Sequence, residues 1–166
     1  GVEARKVAKV GNKYYNSLRA AVDAADAGVT VELLEDVTLE GGYEDSTEGL
    51  RIEKALLITG QNGKNRTINC GTFKKGIRVY NNTGNKAAVT FRYLTIVNDN
   101  VEGRCIDTRS GNIDLLLYVT QLKATGTNSQ PLTLGGNDRM YRVRIQGCSI
   151  DAGKSGYGVT CFVPSW

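Results

Sequence analysis

Two series of apolar residues run through the second half of this chain with one shared period. The frame apolar, two residues, apolar, one residue, apolar occurs as Phe91-Leu94-Ile96, as Val119-Leu122-Ala124 and as Ile145-Cys148-Ile150. The copies are offset by 119 − 91 = 28 and 145 − 119 = 26 residues. A second series, Val79, Ile106, Leu132 or Leu134, then Val159 or Cys161, also advances by about 27 residues. Two in-phase series with one period require a repeating coil that contains at least two strands. A period of that size suits a β-solenoid, in which short strands stack on the next coil at ~4.8 Å. Inward residues then form columns. The frame predicts Leu94, Leu122 and Cys148 in one column, and Phe91, Val119 and Ile145 in another. A leucine-rich repeat has a similar period, but its L-x-x-L-x-L frame and Asn ladder are not sustained here. A β-sandwich gives no reason for the period.

The rest of the chain fits this frame. Residues 5–15 alternate around Gly11-Asn12 and predict a small hairpin. Asn16 and Ser17 offer N-cap oxygens, and Leu18, Ala21, Val22 and Ala25 share one helical face, which predicts a helix over 16–28 with Gly28 as its stop. From Val29 onward the pattern is β. Short strand-like runs at 50–52, 55–59, 66–70, 76–80, 89–97, 104–108, 116–124, 131–134, 141–150 and 158–163 alternate with turn residues. No second helix pattern separates them. The solenoid is expected over 29–166, as part of a single domain 1–166.

Composition sets limits on chemistry. The chain has 166 residues and a net charge of +4, with Lys and Arg scattered and no block of five or six, so a nucleic-acid partner is not indicated. No run approaches the ~18 apolar residues of a membrane span. There is no His, which removes the commonest general acid/base and the commonest metal ligand. Cys70, Cys105, Cys148 and Cys161 form no C-x-x-C pair, so they read as small core residues on or beside strands, with disulfides between stacked coils left open. No metal and no cofactor is expected. The loops at Gly60–Lys64 and Gly153–Gly156 superficially suggest phosphate loops, but no helix pattern follows either.

The segment YYNSLRAAVDAADAGVTVELLEDVTL (14–39) resembles the opening of bacterial cell-surface proteins with pectin-lyase-like β-helix regions, and VTFRYLTIVND (89–99) is similar to a coil strand of that superfamily. The resemblance implies an all-β fold, a right-handed parallel β-helix, with the short helix capping the first coil, in an extracellular, surface-displayed protein. It is poorly specific for activity, because the superfamily hosts lyases, hydrolases, adhesins and phage tailspikes. The hydrolase branch is disfavoured: without His its G-H-G is absent, no D-D pair exists, and Arg51-Ile52 and Arg144-Ile145 are followed by Glu53 and Gln146 instead of Lys.

A lyase needs a lowered-pKa base and a metal that acidifies the sugar proton. The best candidate cluster is Asn98, Asp99, Asp107, Arg109 and Asp114. Asp99 and Asp114 sit in turn-like stretches, and Asp107 and Arg109 alternate on one strand. Tyr80, Tyr93, Tyr118 and Tyr141 are available for sugar stacking, with Tyr93 and Tyr118 expected to point outward. The leading expectation is a non-catalytic adhesin-type module that binds glycan or a host protein through Asn98, Asp99, Asp107, Arg109, Tyr93 and Tyr118. The alternatives are a polysaccharide lyase or glycoside hydrolase fragment, and a structural stalk. The run GVTCFVPSW (158–166) looks like the start of another coil. It implies a longer solenoid, a makeshift cap built from Phe162, Val163, Pro164 and Trp166, or end-to-end self-association.

Overall fold

Five coils of β-solenoid account for most of the chain. The computed structural model describes residues 5–81, 83–109, 111–135 and 140–162. A hairpin of β1 (Ala8–Val10) and β2 (Lys13–Tyr15) turns on Gly11, which adopts φ +57°, and leads into helix α1 (Leu18–Ala24). The first coil follows with β3 (Thr30–Leu33), β4 (Val37–Thr38) and β5 (Glu48–Ile52). The second coil is β6 (Leu56–Gly60), β7 (Arg66–Asn69) and β8 (Lys75–Val79). In the third and fourth coils two legs merge into long bent strands, β9 (Ala87–Asn98) and β11 (Ile113–Ala124), followed by β10 (Arg104–Thr108) and β12 (Leu132–Gly135). The fifth is β13 (Arg142–Gln146), β14 (Ser149–Asp151) and β15 (Val159–Phe162). All pairing between coils is parallel. The result has three faces: β3–β6–β9–β11–β13, then β4–β7–β9–β11–β14, then β5–β8–β10–β12–β15.

The core is a set of columns. Val31, Ile58, Phe91, Leu117 and Ile145 stack on the first face. Ile68, Ile96, Leu122 and Ile150 stack on the second, and Leu50, Ile77, Ile106, Leu132 and Val159 on the third. The expected columns therefore slip by two residues. Leu117, not Val119, lies between Phe91 and Ile145. Leu94 meets Thr120, while Leu122 belongs with Ile96 and Ile150. Val79 likewise pairs with Thr108, and Ile106 with Ile77. The cause is the same each time: a threonine occupies a core position. Thr120 and Thr108 are fully buried, and their hydroxyls donate to backbone carbonyls, Thr120 to Phe91 O and Tyr118 O and Thr108 to Thr133 O, so burial leaves no polar group unpaired.

The corner between the first two faces is made by one residue in left-handed conformation. Tyr93 (φ +53°), Val119 (φ +44°) and Gly147 (φ +63°) do this in successive coils. Val119 is thereby turned outward and is 39% exposed.

The helix is shorter than the expected 16–28. Ser17 caps it, its Oγ accepting from Ala20 N at 3.0 Å, and the Lys54 ammonium donates to the Ala25 carbonyl beyond its last turn. Gly28 (φ +85°) instead begins the stacking, its N–H donating to Ala55 O at 2.8 Å. Leu18, Ala21, Val22 and Ala25 are buried against the first coil, as the capping role requires. The helix does not cover the strand edges, however. The β3 edge is covered by β1 in antiparallel pairing, with Ala8 opposite Leu33. The β5 edge is covered by the strap 40–47. There Gly41 N donates to Gly49 O, and the Tyr43 hydroxyl accepts from Arg51 N at 3.1 Å. Arg19 from the helix lies 3.9 Å from the Tyr43 ring and donates to Gly41 O, joining strap to helix. Three devices thus finish one end of the solenoid.

Candidate functional site

Strand alternation places every second residue of the third face outward. With Leu50, Ile77, Ile106 and Leu132 inward, the outward row reads Arg51, Arg78, Asp107, Thr133 and Thr160, each paired with the next coil's member. Beside it lie Glu48, Lys75 and Arg104. The row is a buried ionic layer. Asp107 is fully buried. Its Oδ1 accepts from Arg104 Nη1 at 2.9 Å and from the Thr133 hydroxyl, and its Oδ2 faces Arg78 Nε and Arg109 Nε, each at 3.4 Å. Glu48, also buried, accepts from Arg51 Nη2 at 2.7 Å and faces Arg78 Nε at 3.7 Å, an ion pair without a hydrogen bond. The two carboxylates hold four guanidinium groups on the flank. Arg104 and Arg109 remain partly open, and each lies 5.9 Å from the Phe162 ring.

Along one margin of this face runs an open groove of about 560 Å³. Successive coils line it with two polar side chains each: Asp45 and Thr47, Lys74 and Lys75, Glu102 and Arg104, Asn128 and Gln130. Backbone bonds from Lys75 N to Thr47 O, Arg104 N to Lys74 O and Gln130 N to Gly103 O keep the four coils in step there. Ion pairs cross between coils, Lys75 with Asp45 at 3.4 Å and Lys74 with Glu102 at 3.5 Å. The Thr47 hydroxyl and amide, helped by Lys75, hold the Asp45 carboxyl down to about 2. The groove is a polar ladder with three cations and two anions.

The expected site residues fall in four separate places. Asp107 and Arg109 do face outward together, in the ionic layer. Tyr93 and Tyr118 sit at the bent corner of β9 and β11, edge to face with ring centroids 5.8 Å apart, and Tyr118 is 39% exposed, outward as expected although its neighbour Val119 is outward too. Asn98 and Asp99 lie at the end of β9. Asn98 is fully buried and serves the turn: its amide donates to Phe73 O, Lys74 O and Arg104 O, and its Oδ1 accepts from Asn100 N. Asp99 is exposed and accepts from Thr125 Oγ1 at 2.9 Å. Asp114 is not in a turn but in β11, where Arg142 binds it through two nitrogens and Arg144 lies at 3.7 Å, holding its carboxyl below the usual range. The sugar-stacking candidates Tyr80 and Tyr141 are occupied by neighbouring cations, Arg78 at 4.8 Å and Lys86 at 4.7 Å.

The sequence reading missed Glu48, Arg51, Arg78, Arg104 and the groove. A signal was present: Arg51 and Arg78 stand one period apart, as do Lys75 and Arg104, so a polar column shadows the apolar one. Among the described residues no group of three or more His, Cys, Asp or Glu is placed to hold a metal ion, and no helix is long and apolar enough to cross a membrane. Cys70 and Cys105 are buried, which pushes the Cys105 thiol up to about 12 and raises Cys70 as well. Cys148 is half-buried and packs against the core, while Cys161 is exposed and departs from the core reading. Comparison of the chain with protein-family models, curated proteins and solved structures returns no match.

Proposed function

We propose that this chain is a non-catalytic recognition module of an extracellular, surface-displayed protein, and that it binds a glycan along the polar groove of its third face. The observation that carries this reading is the ladder itself: four coils present paired polar side chains at the ~4.8 Å coil spacing, on a flank stiffened by two buried carboxylates. Hydroxyl-rich ligands need many donors and acceptors in fixed positions, and an open groove crossing several coils engages several sugar rings at once. The carboxylates of the flank favour binding over catalysis. Asp107 and Glu48 are buried beneath arginines and engaged by them, so neither reaches a substrate lying on the surface. On this reading the partners are a glycan, or a host surface glycoprotein through its sugars, and a second copy of the chain through its C-terminal coil.

The test is a glycan array followed by titration of the hits. Arg104→Ala and Gln130→Ala should each weaken binding about tenfold or more, while Tyr118→Ala, at the other corner, should not. If no glycan binds, or if binding survives both groove variants, the reading fails. A rise in ultraviolet absorbance on incubation with uronate polymers and Ca²⁺ would replace it with a lyase.

A further inference from the structure

Ion pairs within the groove account for two of its three cations. Lys75 is taken by Asp45 at 3.4 Å and Lys74 by Glu102 at 3.5 Å. Arg104 has no groove anion. Its partner is Asp107, in the layer beneath, and among the described residues Asp107 is the only carboxylate ion-paired with Arg104 or with Arg109. That one negative charge is divided three ways. Arg78 faces it at 3.4 Å and is only 10% exposed, so water and salt screen this pair least. Arg104 and Arg109, 21% and 32% exposed, share what remains. Each meets Asp107 through one nitrogen, Arg104 Nη1 at 2.9 Å from Oδ1 and Arg109 Nε at 3.4 Å from Oδ2. Among the described residues, no other acceptor takes a hydrogen bond from either guanidinium group.

We propose that Arg104 and Arg109 form an anion subsite, and that the glycan of the groove carries a sulfate or phosphate ester there. This rests on the glycan reading and adds the chemistry of the ligand to it. Arg104 belongs to both the groove and the ionic layer, so a substituent leaving the groove at the third coil passes over Asp107 towards Arg109. The two guanidinium groups converge on one carboxylate by different oxygens, which places both beside one point on the flank. A carboxylate matches the fork of a single guanidinium, whereas an ester oxyanion has three terminal oxygens and accepts from two at once. The groove also speaks against an acid on every sugar. Glu102 and Asp45 line it, 60% and 36% exposed, and would repel a carboxylate at their own rungs. The ligand that fits is neutral along most of the groove and charged at the third coil.

The test has two arms, both on the whole chain. In the first, inorganic sulfate and then inorganic phosphate are titrated in against chloride at constant ionic strength. The Nε–Hε nuclear magnetic resonance signals of Arg104 and Arg109 should shift together and saturate, while that of Arg5, at the far end, should not. In the second, matched oligosaccharides that differ by one sulfate or one phosphate ester are compared. The ester should bind at least about tenfold tighter than its neutral parent, and Arg109→Gln should bring that ratio close to one. Lys64→Glu, an exposed change at the opposite corner, should leave the ratio unchanged. The ester with the larger gain names the source of the anion. Thermal melts check that each variant is folded. Signals of Arg104 and Arg109 that do not saturate overturn the proposal, as does an ester gain that is absent or survives folded Arg109→Gln. If a neutral glycan still binds in those cases and Gln130→Ala weakens it, the groove reading stands without the anion subsite. If sulfate saturates both arginines but no glycan binds, with or without an ester, the groove reading fails and this proposal with it.

Discussion

Replacing Asp107 by Asn tests whether the ionic layer holds the flank together. The side chain keeps its shape, and its carbonyl still accepts from the Thr133 hydroxyl. What is lost is one buried negative charge facing Arg78, Arg104 and Arg109 at 3.4, 2.9 and 3.4 Å. Removing one partner of a buried pair costs ~3–5 kcal/mol, because the remaining charge is left buried without compensation. Here Arg104 and Arg109 are 21% and 32% exposed and can turn partly towards water, while Arg78 is only 10% exposed and cannot. The lower end, about 3 kcal/mol, is the expected loss. With a urea m-value of ~2 kcal/mol/M, the unfolding midpoint should fall by about 1.5 M. The readout is urea unfolding followed by far-UV circular dichroism. Sulfate should restore part of the loss in the variant, since an anion among the three guanidinium groups replaces the missing charge. A midpoint shift below about 0.3 M would show that the layer contributes little, and the argument for a stiffened flank would fail.

Other outcomes are equally open to measurement. At the left-handed corner, Gly147→Ala should cost ~1 kcal/mol, because its added Cβ would meet only Val119 at 3.5 Å and the penalty lies in the backbone alone. Val119→Asn should stabilise by about 0.5–1 kcal/mol, since Asn tolerates that conformation better than a β-branched residue; thermal melts report both. In the native state a thiol reagent should modify Cys161 quickly and Cys148 more slowly, and should reach Cys70 and Cys105 only on unfolding. Asp45 titrates near 2 in the folded chain, below its ordinary 3.8, so its contribution is fully present above pH ~4 and is lost as pH falls towards 2. The gap in melting temperature between the native chain and Asp45→Asn should therefore close over that range, modestly because Asp45 is about one-third exposed.

The architecture was legible because apolar residues recur at the coil period, and because the pattern at Leu18, Ala21, Val22 and Ala25 is that of a helix needing a surface to lie on. The register was not legible. Thr108 and Thr120 occupy core positions with their hydroxyls tied to carbonyls, and a hydrophobic frame reads such residues as outward. The frame therefore slid to Val119, which the left-handed corner turns to solvent. That slip also hid the site. Once Ile77, Ile106 and Leu132 are aligned, Arg78, Asp107 and Thr133 fall into one outward row, whereas aligning Val79 with Ile106 scatters them. The strap was invisible for a different reason: Tyr43 acts through its hydroxyl and through the faces it offers Arg19 and Arg51, contacts with no period.

The central claim is that residues from four coils converge on one groove at the solenoid spacing. Spin labels at Thr47→Cys and Gln130→Cys, with Cys148 and Cys161 changed to Ser, test it directly by pulsed dipolar spectroscopy. The two positions are 83 residues apart in sequence but three coil steps apart in space. The account predicts a narrow distance distribution centred at about 15–20 Å, three steps of ~4.8 Å plus the label arms. A broad distribution, or one centred beyond about 30 Å, would contradict it.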